Sequence, residues 1–436
     1  MAQVFRSLRV RNYRLYTGGQ LISNTGAWVQ RIAQDWLVLQ LTHNNGTALG
    51  ITTGLQFLPM LLFGLWGSFF GDRFPKRRVL LVTKCGMGVL AVILGLLDVS
   101  GVVQVWQVFM IAFLLGMVTL FDNPTRQTFA VEMVGKESLA NAISLNSATF
   151  NVARLAGPAI AGGLIVAIGT GPLFFINAIS YIGSIVTLLL IRQGELRQVE
   201  PVPRARRQIR EGLRYVSGRP DLILPVFLMA FIATFAMNNQ IVTALFATRV
   251  FGRGAGSYGL LTTAVAVGSL SGALLSASRT RPTRKLLLGA ALGLGVADVV
   301  GSLMPSYLLF MALLIPVGLA SMLFMTAANS LSQLGSSDQM RGRVMSLYVL
   351  VSMGGAPIGA PFVGWLADQY GTRWSLLSGG LVSIGAAIAA TVLFLILRDG
   401  AGPTATHAVR LLGLGRRRAS RQLPASGASG ASESAK

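Results

Sequence analysis

Apolar runs of about 20 residues alternate with short polar gaps along most of the chain, and the runs hold almost no charge. Residues 79–97 (VLLVTKCGMGVLAVILGLL) and 374–397 (WSLLSGGLVSIGAAIAATVLFLIL) are the plainest. At 1.5 Å per residue, runs of this length match the ~30 Å hydrocarbon core of a bilayer. Read in order, they predict twelve helices near 15–40, 47–70, 79–99, 105–125, 141–168, 172–191, 222–248, 257–278, 285–303, 305–332, 343–367 and 374–397. The expected fold class is an all-α membrane protein.

The longest polar gap, 192–221, bears prolines and eight arginines and divides the helices six and six. An offset of 202 pairs Ser144-Leu145 with Ser346-Leu347, Gly157 with Gly359, Gly162 with Gly364 and Gly169-Thr170 with Gly371-Thr372. Asp98 and Asp298 match at an offset of 200. Two pseudo-symmetric six-helix bundles are therefore expected, 1–191 and 222–398, joined by a basic linker at 192–221. Parallel repeats of this kind build a large class of secondary transporters. The Gly-, Ala-, Ser- and Arg-rich tail 399–436 has the composition of a disordered segment.

Composition adds direction to the pattern. With 53% hydrophobic residues, 12% charged residues and a mean hydropathy of +0.62, the chain carries more hydrocarbon than a soluble domain can bury. The net charge of +22 arises from 37 Lys and Arg against 15 Asp and Glu. On the predicted topology 32 of the basic residues fall on one side, 3 on the other (Arg249, Arg253, Arg373) and 2 within spans (Arg31, Arg154). That asymmetry puts the basic side and both termini in the cytoplasm, and it assigns the charge to orientation and lipid contact rather than nucleic acid. The N-terminal segment has four arginines and no small-residue cleavage site, so it reads as retained.

A single cysteine, Cys85, and two distant histidines, His43 and His407, leave no set of metal ligands, and no metal or other cofactor is expected. There is no Gly-x4-Gly-Lys-Ser/Thr run and no cluster of His, Cys or paired carboxylates, which disfavours ATP hydrolysis and catalysis within the chain.

The gap after the second helix reads GSFFGDRFPKRRVL. It resembles the loop signature of the major facilitator superfamily. Asp72, Arg73, Lys76 and Arg77 match, Gly67 falls one place before the usual glycine site, and Pro75 stands for the later glycine. Residues 8–30 and 121–158 (FDNPTRQTFAVEMVGKESLANAISLNSATFNVARLAGP) are similar to the bacterial exporter branch that includes enterobactin exporters and macrolide-efflux proteins. GPAIAG at 157–162 resembles the fifth-helix antiporter motif through Gly157, Pro158 and Gly162, with Ala161 where a glycine is usual.

The resemblance implies a monomeric transporter in the bacterial inner membrane. It would work by alternating access, exporting an amphipathic small molecule in exchange for protons. Import by the same fold, or a non-transporting partner or sensor, are the readings left open. It also implies that Asp122, which shares a face with Arg126 at i,i+4, pairs with basic residues of the loop after helix two. Asp72 would then cap the start of the eleventh helix near Arg341-Gly342-Arg343 and latch the two halves; the alternative is a plain positive-inside anchor. By the same resemblance the first, fourth, seventh and tenth helices line the pathway.

Ionisable groups within spans are costly and so draw attention. At about 100° per residue, Thr17, Gln20, Asn24, Arg31 and Asp35 form one stripe on the first helix, which is expected to face a wet cavity. Asn238, Asn239 and Gln240 lie at an equivalent depth of the seventh helix, and Arg154 at a depth similar to Arg31. Arg31 and Asp35 either neutralise each other at i,i+4, or Asp35 carries the coupling proton with Arg31 or Arg154 biasing it. Arg154 equally suits bonding to carbonyls of broken helices. Asp98 and Asp298 read as solvated helix ends. The small-residue faces of the fifth and eleventh helices suit close packing and a seal between the halves.

Overall fold

The computed structural model describes residues 6–71, 74–135, 138–196, 208–279 and 282–399. Its α-helices are α1 (Arg11–Leu41), α2 (Gly46–Gly71), α3 (Lys76–Val99), α4 (Val105–Val134), α5 (Leu139–Ile168), α6 (Gly171–Leu189), α7 (Gln208–Ser217), α8 (Pro220–Phe231), α9 (Asn239–Leu245), α10 (Ala255–Ala277), α11 (Arg284–Ser302), α12 (Tyr307–Leu334), α13 (Asp338–Gly354), α14 (Ala356–Gln369) and α15 (Thr372–Asp399). Residues up to Thr391 form one compact unit, and the end of α15 belongs to a second.

Eleven spans among the described residues are long and apolar enough to cross a membrane. α1, at 31 residues, is long enough to be a twelfth, but its polar stripe dilutes its hydropathy. Large apolar side chains such as Val82, Ile182, Leu274 and Ile358 are exposed in mid-helix, an arrangement suited to lipid and not to water.

Two expected helices are broken. The span 222–248 consists of α8 and α9 with π-helical turns at Ile232–Ala236 and Phe246–Val250, and Asn238 lies at the break. The span 343–367 breaks between α13 and α14 at Gly355, with Pro357 just beyond. The linker is not wholly irregular, since α7 forms within it and packs on α13. α4 runs nine residues beyond the predicted end, through Pro124.

The repeat at offset 202 is visible in packing. A Cβ on Gly157 would strike Trp28 of α1, and one on Gly359 would strike the Thr234 carbonyl of the first π turn. Gly162 lies against Ala255 and Gly259 of α10, while Gly364 lies against the Gly46 carbonyl of α2. Equivalent glycines therefore seat α5 and α14 on equivalent helices of opposite halves.

The core is divided unevenly between the two ends of the bundle. At the end remote from the basic loops, one apolar cluster runs through both halves, from Val29, Val38 and Leu49 to Phe246, Leu261, Phe310 and Val363. At the basic end the clusters are separate: Tyr13, Leu80 and Phe129 belong to one half, and Val216, Leu222 and Val344 to the other. The structure is closed at the remote end.

Candidate functional site

The polar stripe of α1 divides in two. Thr17, Gln20 and Asn24 are buried, whereas Leu21 and Ile22 beside them are exposed. Arg126 of α4 reaches across, donating from Nη1 to Asn24 Oδ1 at 3.0 Å and from Nη2 to Asn123 Oδ1 at 3.3 Å. This corrects one expectation: the inner stripe packs against α4 instead of facing a wet cavity. The long guanidinium reaches the Asn24 amide oxygen from α4, while Thr17 Oγ1, Gln20 Nε2, Asn24 Nδ2 and Arg126 Nε stay buried without a partner.

Further along α1, Tyr258 of α10 donates its hydroxyl to Asp35 Oδ2 at 2.8 Å, and Trp36 stacks on the Tyr258 ring. This bond joins the two halves at the floor of the shared core. Arg31 makes no ion pair with Asp35; its guanidinium lies over Trp28 at 5.3 Å and Phe57 at 5.9 Å. Arg154 of α5 lies over the same Trp28 ring at 6.0 Å. The self-neutralised pair and the carbonyl-bonded Arg154 are both absent among the described residues. Asn238 donates to the Thr234 carbonyl at 2.7 Å across its own helix break, beside Asn239, and the amide nitrogen of nearby Gln240 is buried without a partner.

The charges near the basic end are placed differently from expectation. Asp122 is buried against helix α3, accepting from Thr83 Oγ1 at 2.9 Å and pairing with Lys84 at 3.2 Å. Lys84, expected with the inner basic residues, therefore sits inside a span. Lys76 pairs with Glu132 at 2.6 Å, which the extension of α4 brings within reach, and Arg77 donates to the Leu188 and Leu189 carbonyls. Arg343 pairs with Glu211 of α7, and Arg341 with Asp338. Gly67 lies in the last turns of α2; Asp72 and Arg73 fall outside the described residues.

At the remote end, α2 meets α14 and α5 meets α10 through the small residues already described. Asp368 of α14 caps the start of α2, accepting from Gly46 N at 2.8 Å, Thr47 N at 2.7 Å and Thr47 Oγ1 at 2.5 Å. Arg249 clamps the same carboxylate at 2.5 Å and donates to the Asn44 and Ala367 carbonyls. The other two remote-end arginines are also engaged, Arg253 over the Tyr307 ring and Arg373 on the Ser302 and Met304 carbonyls. Asp298 corrects a further expectation. It is buried at 1% exposure with neither oxygen partnered, because α11 presses it against its neighbours and not against solvent.

Repeated six-helix halves with discontinuous helices and polar groups inside the spans are features of secondary transporters. The family model for transmembrane secretion effectors, a branch of the major facilitator superfamily, matches residues 2–404. The chain belongs to that family.

The chain is 24% identical over 353 residues to a staphyloferrin A transporter of Staphylococcus aureus, covering 79% of this chain and 87% of that one. It is 28% identical over 379 residues to the multidrug efflux pump Tap of Mycolicibacterium fortuitum, covering 82% and 90%. Among solved structures, a bacterial homologue of the human lysosomal transporter Spinster, inward-facing and unoccupied, shares the fold with a TM-score of 0.71 at 17% identity, covering 89% and 98%. The protein is thus a multi-pass membrane transporter and not an enzyme. Tyr258, Trp28, Lys84 and the Asp368–Arg249 clasp were not among the residues singled out from the sequence. Only the clasp left a signal: an acid and an arginine isolated at the charge-poor end invite each other.

Proposed function

We propose that this transporter exports an amphipathic small molecule across the bacterial inner membrane in exchange for protons. The basic end and both termini face the cytoplasm in this reading, which rests on the charge asymmetry. Efflux and small-molecule cargo are supported by the relatives named as a multidrug efflux pump and a staphyloferrin A transporter.

Coupling rests on one observation, the Tyr258–Asp35 hydrogen bond between the two halves. The groups that face Asp35 are the charged Arg31 on its own helix and the neutral Tyr258 hydroxyl from α10. As a carboxylate, Asp35 accepts strongly from Tyr258 and favours closure of the remote end. A proton removes the charge and weakens the contact. An opened remote end exposes Asp35 to external protons, and re-forming the contact expels the proton on the cytoplasmic side. A latch by Asp72 on the start of the eleventh helix would act from the loop after α2, at the opposite end of α2 from Asp368.

Everted vesicles with an imposed pH gradient test the reading with a panel of amphipathic dyes of both charges. Gradient-driven uptake of at least one dye is expected with the wild type and is lost in Asp35→Asn. Uptake unaffected by that substitution contradicts Asp35 as the coupling group, and uptake without a gradient contradicts proton exchange.

A further inference from the structure

Away from the helix ends, the first half places four cations within its spans, Arg31, Lys84, Arg126 and Arg154, against two carboxylates, Asp35 and Asp122. Uncompensated charge is disfavoured in a membrane interior and seldom left unmatched without a functional reason. Lys84 takes Asp122, and Arg126 bonds to amide oxygens. Asp35 is held by Tyr258. Arg31 and Arg154 are what remains: neither has an ion-pair or hydrogen-bond partner among the described residues, and both guanidiniums lie within ~6 Å of one indole centroid. Around them are rings, Trp28, Phe57 and Phe150, with Trp28 packed edge-on to Phe150.

We propose that Arg31 and Arg154 form an oxyanion subsite, taking a carboxylate or phosphate group of the transported molecule while Trp28 and Phe57 contact its apolar body. The inference rests on the transporter reading and adds the substrate's charge to it. Two planar forks with free donors suit bidentate oxygen acceptors, and the aromatic wall suits an amphipathic anion better than a fully hydrated one. Asp35 lies one helical turn from Arg31, so when ionised it is the carboxylate with which a bound anion must compete.

Two xanthene dyes of similar shape and opposite charge test this: anionic carboxyfluorescein and cationic rhodamine 6G. Binding is read by fluorescence anisotropy to the full chain in nanodiscs of uncharged phosphatidylcholine, without any gradient. The wild type is expected to bind carboxyfluorescein more tightly. Arg31→Gln and Arg154→Gln should each weaken that binding about tenfold, the scale of one hydrogen bond to a charged group, and leave rhodamine 6G equal or tighter. Arg31→Lys and Arg154→Lys, which keep the charge, should retain the preference at reduced affinity. Wild-type protein that binds the dyes equally, prefers the cation or binds neither overturns the proposal, as do glutamine variants with unchanged carboxyfluorescein affinity. Because the wild-type comparison needs no variant to fold and no transport to occur, failure of the coupling reading leaves this result separately legible.

Discussion

Asp368→Ala removes a cap and an ion pair from the seam that closes the remote end. The carboxylate accepts two backbone N–H groups and a hydroxyl at the start of α2, a loss worth about 1–2 kcal/mol for a helix cap. Its pair with Arg249 lies within the second half and is common to both forms, so it adds nothing to the difference between them. The closed form should therefore lose about 1–2 kcal/mol relative to the form open at that end, a shift of roughly 5- to 30-fold. If the open form begins at about 1%, a usual level for a minor state, it rises to between roughly a twentieth and a quarter. Spin labels at Val102→Cys and Leu303→Cys, exposed on the turns before α4 and α12, would report it in a Cys85→Ser background. Pulsed dipolar spectroscopy should show a longer-distance population that grows in Asp368→Ala. A distribution identical to that of the parent refutes the assignment of Asp368 as a closure contact.

Gly364→Val places a branched side chain against the Gly46 carbonyl, so the same labels should report an enlarged open population and transport should fall; an unchanged distribution contradicts the close approach. Lys84→Met strands a buried carboxylate and should cost about 3–5 kcal/mol, read as a lower thermal midpoint, most of which Lys84→Met with Asp122→Leu restores. Asp298→Leu replaces an unpartnered buried carboxyl with hydrocarbon and should raise the midpoint, by about 1–3 kcal/mol in stability. A lower midpoint there would mean that Asp298 has a polar role its surroundings do not reveal.

The helices were legible because the bilayer demands about 20 apolar residues per crossing, and the repeat because equivalent glycines are fixed by equivalent close approaches. Breaks in the seventh and eleventh spans were less legible. Gly354, Gly355 and Pro357 marked one, but π turns around Asn238 arise from tertiary packing that leaves no composition of its own. Periodicity placed Thr17, Gln20, Asn24, Arg31 and Asp35 on one face and could not say what that face meets. Arg126 fills part of it and Tyr258 another part, from helices far away in sequence. Positive-inside counting put Lys84 at the surface because a single lysine in an apolar run looks like a helix end until its buried partner is seen. Asp298 misled for the reverse reason, since its position near a helix terminus says nothing about how tightly the neighbouring helices cover it.

The central claim is that proton occupancy of Asp35 governs the contact with Tyr258 and hence closure of the remote end. Its most direct test is the Val102–Leu303 label distance measured across a pH series, with no substrate, in wild type, Asp35→Asn and Tyr258→Phe. Because closure depends on the carboxylate, the wild-type open population should grow as pH falls. Both variants should show a raised open population with a flattened pH response, and an Asp368→Ala series accounts for the other carboxylate bonded across the halves there. A wild-type pH response that survives intact in Asp35→Asn would contradict the account.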